Sequence, residues 1–165
     1  MLVLVEVLVL LQRIGDFLNG GDLWSLLVSF AVTTDKVQNI VSPEFKAAGH
    51  KVVIIKPEYD ANGLPVTSSQ LEVYKTVNEL IVSKKAVAVW TPIGGGIAEG
   101  VMKMAFGNMF GFDFADGITK REMYAPLVGS FVIECEGESP VGGKLLGKVT
   151  DGGEFVLGGE KVATA

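Results

Sequence analysis

Cysteine and histidine each occur once in the chain, as Cys135 and His50. A lone cysteine cannot close an internal disulfide, and one cysteine with one histidine cannot furnish a Cys/His zinc cluster. Both absences fit a reducing compartment, so a cytoplasmic protein is expected. Basic charge is scarce as well. The 14 lysines and arginines are outnumbered by 19 aspartates and glutamates, for a net charge of −5. Only Lys84-Lys85 and Lys120-Arg121 stand adjacent, and no basic stripe forms. Neither nucleic acid nor an anionic membrane is therefore expected as a partner. Long apolar runs are confined to residues 1–11, broken only by Glu6. That run lacks the basic flank and small-residue cleavage site of a secretory signal, and it is too short to span a bilayer.

What is present is enough apolar material for one core. Of the 165 residues, 48% are hydrophobic and 20% charged, which excludes disorder and suits a single domain. Residues 2–10, rich in valine, are compatible with a strand, a buried helix or a cloning boundary, because periodicity does not separate these. After Asn19-Gly20-Gly21, residues 26–33 read as a buried strand. Thr34 or Asp35 can cap a short helix to about Ile40. Ser42-Pro43-Glu44 predicts a further helical turn closed by Gly49. Residues 51–56 form the next strand, and residues 57–67, with Asn62-Gly63 and two prolines, a loop.

Ser69-x-x-Glu72 has the spacing of a capping box and predicts a helix to about Ser83. Leu71, Tyr74, Asn78 and Ile81 share one face of it, widened by Val73, Val77 and Leu80. Residues 86–90 are a strand, followed by Thr91-Pro92-Ile93-Gly94-Gly95-Gly96 and a helix to about Phe106 that turns Ile97, Val101 and Met104 or Ala105 inward. Gly107 ends that helix. Residues 111–114 and 129–136 are strands. Residues 145–149 and 154–157 predict a terminal hairpin turning at Asp151-Gly152. Strands and helices mixed in this way give an α+β, layered fold with a mixed β-sheet covered by helices.

The strand–Gly94-Gly95-Gly96–helix unit is the strongest local feature. Three glycines let the backbone approach another group closely, and the helix start beyond them offers free N–H groups that suit a phosphate. The spacing matches neither a P-loop nor a dinucleotide fingerprint. Close strand–helix packing with no ligand explains the same residues. Glu99, in the first turn, complements the helix dipole and would repel a phosphate at that spot; its other reading is metal or water binding at a cleft edge. His50 reads as a surface or capping residue in preference to a catalytic one. Trp90 and Pro92 read as shaping the loop, and Asp113 and Asp116 as solvated loop carboxylates. Cys135, in Gly129-Ser-Phe-Val-Ile-Glu-Cys-Glu, reads as a core thiol, since no neighbouring base is named by the sequence.

Several ordered blocks resemble one family. Leu27-Val-Ser-Phe-Ala-Val-Thr-Thr-Asp-Lys-Val, Val41-Ser-Pro-Glu-Phe-Lys-Ala-Ala-Gly-His-Lys-Val, Gly94-Gly-Gly-Ile-Ala-Glu-Gly-Val-Met-Lys-Met-Ala-Phe-Gly-Asn and Gly129-Ser-Phe-Val-Ile-Glu are similar to the large single-chain phosphoribosylformylglycinamidine synthases. Within these they resemble the C-terminal half of the second aminoimidazole-ribonucleotide (AIR) synthetase-like unit. Leu145-Leu-Gly-Lys-Val-Thr and Val156-Leu-Gly-Gly-Glu extend the likeness to the end of the chain. The resemblance implies an AIR synthetase C-terminal-like domain over residues 26–165, with residues 1–25 as an apolar segment outside the family pattern.

It also implies a parent enzyme. That parent is an ATP-dependent glutamine amidotransferase ligase of purine synthesis, which converts formylglycinamide ribonucleotide to the amidine with ATP or ADP and Mg²⁺ in its sites. Gly94, Gly95 and Gly96 would be its nucleotide-cleft loop. Related active units carry acidic or histidine residues before the glycines; here Val89-Trp90-Thr91-Pro92-Ile93 has no ionisable group, so no Mg²⁺ ligand is supplied. The resemblance therefore implies the auxiliary unit, with no catalytic or metal-binding residue carried over. A sister ATP-dependent enzyme of the AIR synthetase superfamily, or a structural module without ligand, are the competing readings. The expected partners are the remaining domains of the parent synthase. An apolar run beside an open strand edge also predicts a homodimer of this chain.

Overall fold

The computed structural model describes residues 2–15, 22–92, 94–137 and 142–163. It divides into two compact units, Met1–Ile40 and Val41–Ala165. In the first, β1 (Leu2–Gly15) and β2 (Asp22–Asp35) pair antiparallel from Leu2 opposite Asp35 to Gly15 opposite Asp22. The valine-rich start is thus a strand, and the run expected over 26–33 lies inside β2. Branched residues fit a pleated backbone better than a helix, because their χ1 freedom is already restricted. The helix expected to follow Asp35 is a single 3-10 turn, Val37–Asn39. The Asp35 carboxylate anchors it, accepting from Lys36 N at 2.6 Å and Asn39 Nδ2 at 3.0 Å.

The second unit holds a seven-stranded sheet: β3 (Lys51–Ile55), β4 (Ala86–Trp90), β5 (Gly111–Phe114), β6 (Phe131–Cys135), β7 (Lys144–Thr150), β8 (Glu154–Leu157) and β9 (Glu160–Ala163). Their spatial order is β4-β6-β3-β7-β5-β8-β9, with every pair antiparallel except β5 with β8. Three helices accompany it: α1 (Thr67–Val82), α2 (Gly96–Phe106) and α3 (Lys120–Met123). This is the expected α+β class with a mixed sheet. Among the described residues no helix is long and apolar enough to cross a membrane.

The alternation of the strands builds two cores. Val53 and Ile55 of β3 and Ile133 and Cys135 of β6 meet Val73, Val77 and Leu80 of α1. Their neighbours Val52, Ile54 and Val132 join Phe112, Leu146 and Val149 against Ile97, Val101, Met104 and Ala105 of α2. Successive strand residues point to opposite faces, so the two clusters flank the sheet. Phe45 enters the second core from the irregular segment before β3 and stacks on Phe112 with ring centroids 5.7 Å apart.

Several sequence expectations fail for identifiable reasons. The capping box is not formed: α1 starts at Thr67 with Val66 as its cap and no side-chain bond. Ser69 Oγ instead accepts from Glu58 N at 2.9 Å, fixing the preceding loop. Leu71 and Tyr74 are exposed, because the stripe that docks is Val73, Val77 and Leu80 at helical spacing. No helical turn forms over residues 42–49, where tertiary hydrogen bonds hold the backbone. The C-terminal hairpin is also absent. β5 inserts between β7 and β8, and β8 instead turns back on β9. That tight turn is made by Gly158 and Gly159, with φ of 56° and 86°, the doubly left-handed conformation such turns require.

Phe45 is wholly buried. Removing its ring should cost about 3–5 kcal/mol, through lost burial and the cavity left under Phe112. Urea unfolding of Phe45→Ala is expected to show a lower midpoint at unchanged slope, the shift multiplied by the slope giving that loss.

Candidate functional site

Strand β4 delivers the chain to the glycine loop at the end of the sheet, and α2 leaves from it. Gly95 is the helix cap and Gly96 the first helical residue. Gly96 has φ of 64°, and a Cβ there would stand 2.5 Å from the Met123 carbonyl oxygen and 2.9 Å from that of Ala125. Glycine is therefore demanded both by the left-handed backbone and by the approach of the α3 C-terminus. A Cβ on Gly95 would meet the Glu99 side chain at 2.5 Å, whereas Gly94 has open space around its Cβ position. Two of the three glycines thus have packing reasons independent of any ligand.

The free N–H that a phosphate would use is already engaged. Gly95 N donates to Glu99 Oε2 at 2.9 Å, and Lys103 Nζ stands 2.6 Å from Glu99 Oε1. The Lys103 hydrogen bond, then the Gly95 amide, holds the Glu99 carboxyl below the ordinary carboxylate value. The Lys103 ammonium also lies over the Trp90 ring, 5.3 Å from its centroid. A carboxylate at this position complements the partial positive charge of the helix end. It stands where an incoming phosphate would have to sit.

The donor set does not fit Mg²⁺. Among the described residues no three of His, Cys, Asp and Glu gather closely enough to hold a metal ion. Glu99, the carboxylate nearest the loop, is tied to Lys103 and Gly95. Asp113 lies in β5, 3.9 Å from Lys148, and Asp116 follows in the next turn, so neither joins the glycine loop. Cys135 is buried in the α1-side core. Burial first, and the Glu134 charge second, push its thiol up to about 11, the chemistry of a packing residue. His50 hydrogen-bonds through Nδ1 to Glu134 at 2.7 Å. Glu134 is fully buried in β6. Neither residue reaches the loop.

One feature beside the loop escaped the sequence reading. The open face of α2, with Ala98, Met102 and Phe106, lines an apolar groove of about 290 Å³ together with Tyr124 at the end of α3 and Phe155 and Val162 of β8 and β9. The signal was available in α2 itself: Met102 and Phe106 lie four apart, off the stripe made by Ile97, Val101 and Met104. A helix apolar on more than one face has more than one surface to cover. The far wall could not be foreseen without β9 and α3.

The glycines make separable predictions. Gly96→Ala is expected to lower stability by about 1–3 kcal/mol or more, since the left-handed backbone and the Met123 carbonyl both oppose a methyl group. Gly94→Ala should stay within about 0.5 kcal/mol. Thermal unfolding of the two variants side by side checks both.

No family model matches the chain. Solved structures do match it in fold. PurL from Thermotoga maritima complexed with FGAR superposes at a TM-score of 0.64, covering 93% of this chain and 33% of that one at 9% identity. Phosphoribosylformylglycinamidine synthase II from Thermotoga maritima gives 0.63 over 93% of this chain and 31% of its own, at 11% identity. PurLQS from the same organism gives 0.66, again over 93% and 31%, at 11% identity. Other structures of that PurL are complexes with ATP, AMPPCP and ADP. This chain spans about a third of the length of the chains it resembles. In fold, it is a PurL-like domain.

Proposed function

We propose that the chain is a fragment of a phosphoribosylformylglycinamidine synthase, the ATP- and glutamine-dependent ligase of purine synthesis, and that it supplies a wall of a nucleotide cleft without chemistry of its own. The observation that carries this reading is the fold likeness to PurL chains over 93% of this chain but only 33% of theirs. Together with the ordered sequence blocks at 27–37, 41–52, 94–108 and 129–134, it favours the C-terminal subdomain of an AIR synthetase-like unit. The domain assignment we adopt is accordingly residues 26–165, with 1–25 outside it. Gly94, Gly95 and Gly96 are proposed as the loop at the cleft edge, and ATP or ADP with Mg²⁺ as ligands of the parent's other domains. The reaction is cytoplasmic in this reading.

A second reading has a specific observation behind it. Glu99 takes the Gly95 N–H and so stands in for an anion at the helix start, which favours a scaffold that binds no ligand. Calorimetric titration with ADP–Mg²⁺ at low salt separates the two roles. The expected result for this chain alone is no saturable heat up to millimolar nucleotide. Saturable binding abolished by Gly95→Asp would assign the loop a working phosphate contact. Amidine formation from formylglycinamide ribonucleotide, ATP and ammonia by this chain alone would overturn the cleft-wall proposal.

The partners in this reading are the remaining domains of the synthase, and in their absence a second copy of the chain. Sedimentation at tens of micromolar should then give a dimer mass; a monomer would count against that pairing.

A further inference from the structure

Residues 41–50 open the second unit without any regular secondary structure, yet they are tied down along most of their length. Phe45 N donates to Met104 O at 2.8 Å, and Asn108 Nδ2 donates to Phe45 O at 2.7 Å. Gly49 N donates to Val149 O at 2.8 Å, and Val149 N returns to His50 O at 2.9 Å. The centre of the segment rests on one group. The Glu134 carboxylate, from β6, accepts from Lys46 N at 2.9 Å, from Ala47 N at 3.2 Å and bonds His50 Nδ1 at 2.7 Å.

Glu134 is 0% exposed, and every other residue of β6 inside the two cores is apolar. A carboxylate in such a place is sustained only by the donors aimed at it. Those donors all come from the strap, and two of them are backbone amides that would be orphaned if the carboxylate were removed. The dependence is mutual: the strap has no ladder or helix of its own to fall back on. Its one large apolar residue, Phe45, plugs the α2-side core against Phe112 and Met104.

We infer that residues 45–50 and Glu134 form a latch, a strap that opens and closes as one cooperative unit over the α2-side core while the rest of the sheet stays folded. Opening withdraws Phe45 and uncovers Phe112, so the latch decides whether this part of the core is sealed. Loss of the carboxylate leaves three strap donors without their acceptor at once, and α1 and β3 lie outside that set.

Amide hydrogen exchange on the full chain, followed residue by residue by NMR in increasing urea, tests this. In the wild type, the amides of Phe45, Lys46, Ala47 and Gly49 are expected to exchange together, with a weaker urea dependence than the amides of β3 and α1. In Glu134→Ala they should exchange at least about a hundredfold faster relative to those of α1, the penalty of orphaned buried donors. Glu134→Gln, which keeps the shape and one acceptor, should fall between. If the wild-type strap amides share the urea dependence of α1 and β3, the strap opens only by global unfolding and the latch is refuted. The wild-type series decides the matter even if Glu134→Ala does not fold.

Discussion

Strands β3 and β6 lie side by side, inside the edge strand β4, and are covered on both faces. This double burial is the constraint on which the domain rests. It forces an unbroken apolar run in β3, Val52 to Ile55, and it obliges one helix to dock on each face. It also makes the single carboxylate of β6 expensive, so that Glu134 must recruit its donors from a segment with no regular secondary structure. The placement of the strap, of Phe45 and of the α2-side core all follow from that demand.

Much of this was legible in the residues. The buried run of β3, the strands β4 and β6, and the inward stripe of α2 with Gly107 at its end come from local chemistry that tertiary context does not overrule. The α+β class follows from their mixture. What was not legible depends on partners distant in sequence. Ser69 has two uses, and only the fold decides that its hydroxyl serves the loop before α1 in place of the helix end. Asp151-Gly152 marks a turn, but a turn signal does not say which strands flank each other across the sheet. His50 read as a capping or surface residue because nothing nearby suggests that Glu134, 84 residues on, needs a donor.

The triple glycine shows how one pattern can have two causes. A phosphate loop and a tight strand–helix junction both need a backbone without Cβ atoms. Gly96 meets that need through the carbonyls at the end of α3, and Gly95 through the Glu99 side chain. Glu99 was the informative neighbour. A carboxylate four residues beyond a glycine cap can return to the cap's own N–H, and here it does, with Lys103 and Trp90 behind it.

In the order β4-β6-β3-β7-β5-β8-β9, only the last two neighbours are consecutive along the chain. Almost every pairing therefore closes a long loop, and such topologies collapse slowly because entropy is spent before any contact rewards it. A ribosome adds residues at roughly 5–20 per second. The centre of the sheet consequently stays unpaired until β6 and β7 emerge from the tunnel, leaving β3 and β4 as sticky, half-made edges on the nascent chain. The apolar run of β3 is thus the part of the sheet whose burial waits longest on residues far along the chain.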